Sequence, residues 1–287
     1  PTISFYNETT EIILFEANRA VNGTVEYWPE TNPSNVLIKN LPDHKITHEF
    51  NITGLTKGTR YGYRINITNS SSDELYFDTF NSSFKTSDDS ITSFKFVVVG
   101  DMREQDSSPG IEAGIFSNIT TRILDINPDL VINVGDVVEA GADNYNTARD
   151  AWKEYTDIVW NLTDHIPNFI SIGNHENPRQ QNSLRRYREV VIHPLNGNGS
   201  YTCDDTNNAP CWNETTYWFR YGNSLFISLN SEEKNNENNI NGNQRAWLNK
   251  TLNMTGFTNK FVFLHKPIKG ESIVLEPDVL DQMFDYY

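Results

Sequence analysis

Cysteine is almost absent from this sequence: Cys203 and Cys211 are the only two. Two thiols are too few for a four-thiolate zinc site within the chain or for a disulfide-dense scaffold. Long hydrophobic runs are missing too, and no stretch approaches the roughly 18 apolar residues of a membrane span. Basic side chains are scarce, 23 Lys and Arg against 38 Asp and Glu, for a formal charge of −15. That balance excludes a coat for nucleic acid or for an anionic membrane surface. It leaves room for a local cationic site, such as a metal cluster that takes a phosphate. What is present suffices for a packed protein: 287 residues, 37% hydrophobic and 12% aromatic, enough for one large domain or two ordinary ones.

Asparagine is in excess, with 36 residues. Twelve head an N-x-[ST] triplet: Asn7, Asn22, Asn51, Asn66, Asn69, Asn81, Asn118, Asn161, Asn198, Asn213, Asn249 and Asn253. Chance alone would give roughly six. The set reads as N-glycosylation of a secreted, extracellular or cell-surface protein. Cys203 and Cys211 flank a turn-rich stretch, and a disulfide closing that small loop fits the same compartment. Opening on Pro1, without Met or a signal-like segment, the chain reads as mature and processed.

Residues 1–90 read as an all-β sandwich. Apolar and polar residues alternate over 11–16, 24–28, 35–39 and 61–67, separated by turn residues at sandwich-like intervals. The stretch 54–61, with Gly54, Leu55 and Gly58 ahead of Tyr61, resembles the corner of fibronectin type III domains. That resemblance implies that Tyr61 hydrogen-bonds back to the corner backbone. A polar linker, 85–90, follows. From 91 to 287 the pattern changes to α/β: buried strands at 94–99, 130–134 and 169–172, helices near 111–126 and 147–160, and a hairpin over 217–229 turning at Gly222-Asn223. An Asn-rich connection at 235–243, a helix at 244–252 and a strand at 261–264 complete it. There is no internal repeat.

The buried strands end alike. The first runs into Gly100-Asp101-Met102-Arg103, the second into Gly135-Asp136, the third into Gly173-Asn174-His175-Glu176 and the last into His265-Lys266-Pro267. Ligands of open α/β sheets bind beyond the carboxyl ends of the strands. Asp, Asp, Asn and His delivered to one edge make a hard-to-borderline metal site, and two neighbouring carboxylates repel each other unless a cation lies between them. Each piece alone is weak; the ordered series is not.

The series resembles the calcineurin-like metallophosphoesterase superfamily and, with the preceding sandwich, its purple acid phosphatase branch. The resemblance implies a fibronectin type III-like domain over 1–90 and a calcineurin-like metallophosphoesterase domain over 91–287, layered α-β-β-α, with a dinuclear centre at one edge. By motif position Asp101 would bind the first metal, Asp136 would bridge both, and Asn174 and His265 would bind the second. His175 would face the phosphate as electrostatic stabiliser or general acid. Arg103, two residues past the first ligand, would contact phosphate through its planar fork. Glu176 would orient His175 or a ligand from behind, or cap a helix beginning near Asn177-Pro178.

Three departures from the family pattern stand out. Arg103 occupies a position where many members carry a ligand His. Glu139 replaces the Tyr that gives the purple enzymes their iron colour, though it offers an oxygen of its own. The final GHxH motif is absent, so the domain reads as C-terminally incomplete, to be completed by a further segment or a partner chain. The two metals are therefore left open among Fe, Zn, Mn and Mg. The expected function is extracellular, metal-dependent hydrolysis of a small phosphorylated substrate. The alternative is a heavily glycosylated surface or filament-forming protein that keeps the fold with weak or no activity. As a homo-oligomer or surface assembly, it would use the first six residues to pair with a neighbour's sheet edge. A carbohydrate- or protein-binding module is a third reading, resting on the sandwich alone.

Overall fold

The structure, a computed structural model, describes residues 1–5, 7–68, 74–75, 82–103, 113–139, 144–176, 181–197, 214–232, 240, 242–268 and 283–284. In the N-terminal part, alternating apolar residues build strands whose inner faces share one core. Strands β1 (Thr2–Ser4), β2 (Thr10–Pro29), β3 (Leu37–Thr53), β4 (Arg60–Thr68), β5 (Glu74–Leu75) and β6 (Ser82–Lys85) are all paired antiparallel. β2 and β3 form one long hairpin whose register slips between Glu16 and Val21 and again between Val21 and Gly23. Before the slip β2 pairs with β1, and after it with β4. One strand thereby serves both layers of a sandwich around Ile13, Phe15, Val25, Phe50, Tyr63 and Phe84. The region fits a fibronectin type III-like domain, and Thr56 N–H donates to Tyr61 Oη at 2.9 Å, the corner contact.

One expectation changes here. The separate strands at 11–16 and 24–28 are one element, because a bulged segment with outward-facing Asn18 and Arg19 replaces the turn their polarity suggested. The first residues pair within their own chain, Thr2 to Ser4 against Leu14 to Ile12, which makes β1 the outermost strand on that side among the described residues.

The second half is layered. Parallel strands β7 (Phe96–Val99), β8 (Leu130–Asn133) and β9 (Asn168–Ile170) form one sheet. The hairpin β10 (Tyr217–Tyr221) and β11 (Ser224–Ser228), with β12 (Asn259–Phe263) parallel to β11, forms the other. Aromatic rings fill the space between them, Phe169 stacking on Phe219 at 3.6 Å and Phe96 meeting Phe261 at 5.2 Å. Helices α1 (Ala113–Ile126) and α2 (Tyr145–Thr163) pack Ile123 and Leu162 on the outside of the first sheet. Next come α3 (Gln181–Val190), beside α2, and α4 (Gly242–Leu252), which packs Leu248 and Leu252 on the second sheet. Asn144 caps α2 by accepting from the backbone of Asn146 and Thr147.

The strand near 94–99, expected to be buried, lies at the edge of its sheet among the described residues: Val98 is 54% exposed. Val97 and Val99 pack toward α1 and α2, while Phe96 meets the second sheet and Val98, two residues on, is left half open. Contacts also cross from the sandwich to the layered half. Phe5 wedges edge-on against Phe169 and Phe219, and Tyr63 Oη donates to the Asp164 carbonyl at 2.5 Å. The buried Arg186 guanidinium pairs with Glu16 of β2 at 2.6 Å.

Candidate metal centre

β7, β8 and β9 are parallel and in register, so the turns that follow them emerge side by side, and the turn after β12 joins them from the second sheet. Asp101 and Asp136 both sit in the left-handed region, at φ 54° and 52°, which non-glycine residues rarely adopt. The two turns are laced together: Asp101 N–H donates to Gly135 O at 2.9 Å and Arg103 N–H to Asp136 O at 3.0 Å. The third turn approaches so closely that a Cβ on Gly173 would stand 2.3 Å from Asp136 Oδ1 and 2.4 Å from its backbone nitrogen. Only glycine fits there.

One carboxylate closes the construction from behind. Glu176, fully buried, accepts from four backbone N–H groups: Gly173 at 2.6 Å, Asp136 at 3.0 Å, Val137 at 2.6 Å and Val138 at 3.2 Å. Burial pushes its carboxyl up to about 8, the charge of Asp136 acts the same way, and the N–H donors pull it down.

On this scaffold Asp101, Asp136 and His265 bring ligand atoms within 4.8 Å of one another. His265 Nδ1 lies 3.0 Å from the Val134 carbonyl, which can only accept, so Nδ1 carries the proton and Nε2 presents its lone pair. That lone pair faces Asp136 Oδ1 at 3.3 Å and Asn174 Oδ1 at 3.1 Å. Three acceptor atoms that face one another with no proton between them are what a cation satisfies, even though Asp136 takes donors of its own from outside the group; the ligand set fits a divalent metal.

Beside the acceptors lie the remaining polar groups. Arg103 Nε donates to Asp136 Oδ2 at 3.2 Å, and its Nη1 is 3.5 Å from Glu139 Oε2. His175 N–H donates to Asp136 Oδ1 at 3.0 Å, its Nδ1 bonds Glu139 Oε2, and its Nε2 points past Asp136 Oδ2 at 3.7 Å.

The calcineurin-like phosphoesterase family profile matches residues 94–287. The chain belongs to this family. Its fold is shared with a purple acid phosphatase from yellow lupin (Lupinus luteus) seeds, 16% identical, with a TM-score of 0.61 over 89% of this chain and 48% of that one. It is shared equally with PhoD, 12% identical, with a TM-score of 0.61 over 91% of this chain and 60% of that one. This phosphoesterase chain thus spans about half of the lupin enzyme and three-fifths of PhoD. No curated protein matches the sequence significantly.

Within this phosphoesterase domain the structure assigns contacts that the motif left open. Glu139, not Glu176, holds His175; Glu176 ties two backbone segments together, Gly173 and the run 136–138, and does not reach the imidazole. Arg103 is half-buried and engaged by two carboxylates. A polar layer behind His265, made of Asn230, Ser231, Glu232, Gln244 and Lys266, went unread in the sequence. Its signal was there: a fifth apolar strand, 225–229, that also ends in polar residues. Of the triplet asparagines, Asn7, Asn51, Asn118, Asn161, Asn249 and Asn253 are exposed, while Asn22 and Asn66 are partly buried. Asn69, Asn81, Asn198, Asn213 and the pair Cys203 and Cys211 lie outside the described residues.

Proposed function

We propose that the chain is a metal-dependent hydrolase of phosphoric esters acting outside the cell, with Asp101, Asp136, Asn174 and His265 holding a dinuclear centre bridged by Asp136. The convergence of these acceptors at the strand ends carries the reading. When bound, two divalent cations would polarise the phosphoryl oxygen and make a water acidic enough to attack phosphorus. The chain's own residues do the rest. Arg103 offers planar N–H groups at the edge of the centre, where a phosphate oxygen would lie. Glu139 accepts from His175 Nδ1 and fixes the ring, so that Nε2 holds a proton for the departing ester oxygen. The exposed triplet asparagines support a glycosylated protein and the extracellular setting, in which Cys203 and Cys211 would pair as a disulfide.

The test is elemental analysis together with hydrolysis of p-nitrophenyl phosphate. The reading expects close to two metals per chain, activity abolished in Asp136→Ala and sharply lowered in His175→Ala. Unchanged turnover in both variants overturns it. One observation favours the structural alternative: Arg103 already places a cation on the Asp136 carboxylate. A metal-free protein that assembles into regular polymers would decide for that alternative.

A further inference from the structure

Beyond the metal-facing side chains, the second sheet carries a buried ion pair one residue from His265. β11 and β12 are parallel, with Ser228 opposite Phe263, and Leu229 N–H still bonds Phe263 O at 3.0 Å. Past that point both chains turn at the rim and are bound to each other. Lys266 N–H donates to Ser231 Oγ at 3.2 Å, and Ser231 Oγ donates to Glu232 Oε1 at 3.2 Å. Glu232 Oε2 receives Lys266 Nζ at 2.8 Å. The residue after His265 is therefore held by both its backbone and its side chain.

The clamp is itself anchored. Glu232 N–H donates to Asn230 Oδ1 at 2.8 Å, and the backbone N–H and carbonyl of Asn230 are both engaged by the Gln244 side chain on α4, at 2.8 and 3.0 Å. The Glu232 and Lys266 side chains are 2% and 16% exposed, so the pair is desolvated. Taking two charges out of water consumes most of their attraction, and apolar replacements of similar volume usually cost a fold nothing. Stability is thus a poor reason for this pair. What it supplies is direction: with Val134 O on the ring Nδ1 and the clamp on the following residue, the imidazole has two fixed points and Nε2 one heading, toward Asp136 and Asn174.

We propose that Glu232 and Lys266, linked through Ser231, are positioning residues that aim the His265 imidazole at a metal; this rests on the metallohydrolase reading above. The experiment titrates Mn²⁺ calorimetrically into the metal-stripped full chain and records the melting temperature of the same metal-free sample. Glu232→Gln and Lys266→Met are each expected to weaken Mn²⁺ binding about tenfold or more, and Ser231→Ala, which keeps the ion pair, by less. The Glu232→Leu, Lys266→Met double variant leaves no buried charge unpaired. It is expected to melt as the wild type does while keeping the tenfold loss. Recovery of Mn²⁺ affinity in the double variant, in step with its melting temperature, would reduce the pair to a structural element and overturn the proposal. If the single variants do not fold, the double variant and Ser231→Ala decide between the two roles by the same readings. Wild-type protein that takes up no Mn²⁺ overturns the metallohydrolase reading; wild-type uptake with unaffected variants overturns the positioning role alone.

Discussion

At Gly173 one methyl group decides the site. Its Cβ would need the space held by the Asp136 nitrogen, a backbone atom, and by Asp136 Oδ1, the end of a buried carboxylate that His175 N–H and Arg103 hold in place. Gly173→Ala is therefore expected to push the two turns apart, costing about 2 kcal/mol in urea unfolding and most of the metal uptake measured by elemental analysis. Glu139 poses a question of chemistry. If it holds His175 for proton delivery to the leaving oxygen, Glu139→Gln should lower kcat about tenfold to hundredfold on an alkyl phosphate, whose alkoxide leaves poorly. With p-nitrophenyl phosphate, whose phenolate leaves without help, the loss should be much smaller. Equal losses on both substrates would show that the imidazole does not protonate the departing group.

Among the elements, β2 and α3 are joined through Arg186, whose side chain is 2% exposed and pairs with Glu16 and Glu189. Removing the cation leaves two carboxylates behind, though these keep 33% and 25% of their own exposure. Arg186→Ala is expected to cost about 2 kcal/mol, below the range for a fully buried pair, with kcat unchanged in the surviving folded fraction. Chemical denaturation followed by tryptophan fluorescence reads the first quantity. This is also the scale at which the sequence was most and least legible. Strand ends announced themselves, because Gly-Asp, Gly-Asp and Gly-Asn-His-Glu after apolar runs have few bland explanations. The carboxylate partner of His175 did not: Glu139 and Glu176 are equally plausible along the chain, and only the packing of three turns selects between them. The second half of β3 escaped notice because its inward positions include His48, a polar residue that is buried and stacks on Phe15 at 4.8 Å. Burial of β7 was over-read, since an apolar run does not say how many layers cover it.

For the molecule as a whole, stability should depend on pH through His193. This imidazole is fully buried, accepts from Ile170 N–H at 3.0 Å, and is pushed by burial from the ordinary 6.5 down to about 3. Its neighbours among ionisable groups are Tyr187, Tyr217 and Glu214. Above pH 6.5 neither state binds the proton, and the contribution is complete. Between 6.5 and 3 the unfolded chain takes up a proton that the folded chain refuses, so stability falls. Glu214 has the opposite slope: burial raises it to about 8, so stability falls as pH rises from its ordinary 4.5 toward 8. Calorimetric melting temperatures across this range should trace a dome. His193→Gln should flatten its acid side, and Glu214→Gln should relieve part of the decline toward pH 8, Glu176 with its equally raised carboxyl supplying the rest.

The four backbone bonds to Glu176 carry a mechanical consequence. A single fastener shared by the turns after β8 and β9 makes them one part, so neither can swing away from the other without stripping several amides of their acceptor. Whatever adaptation these two turns make to a guest must then be rotation of side chains, His175 foremost, about main-chain positions that stay put. In tool-maker's terms the jaws are welded and only the teeth turn.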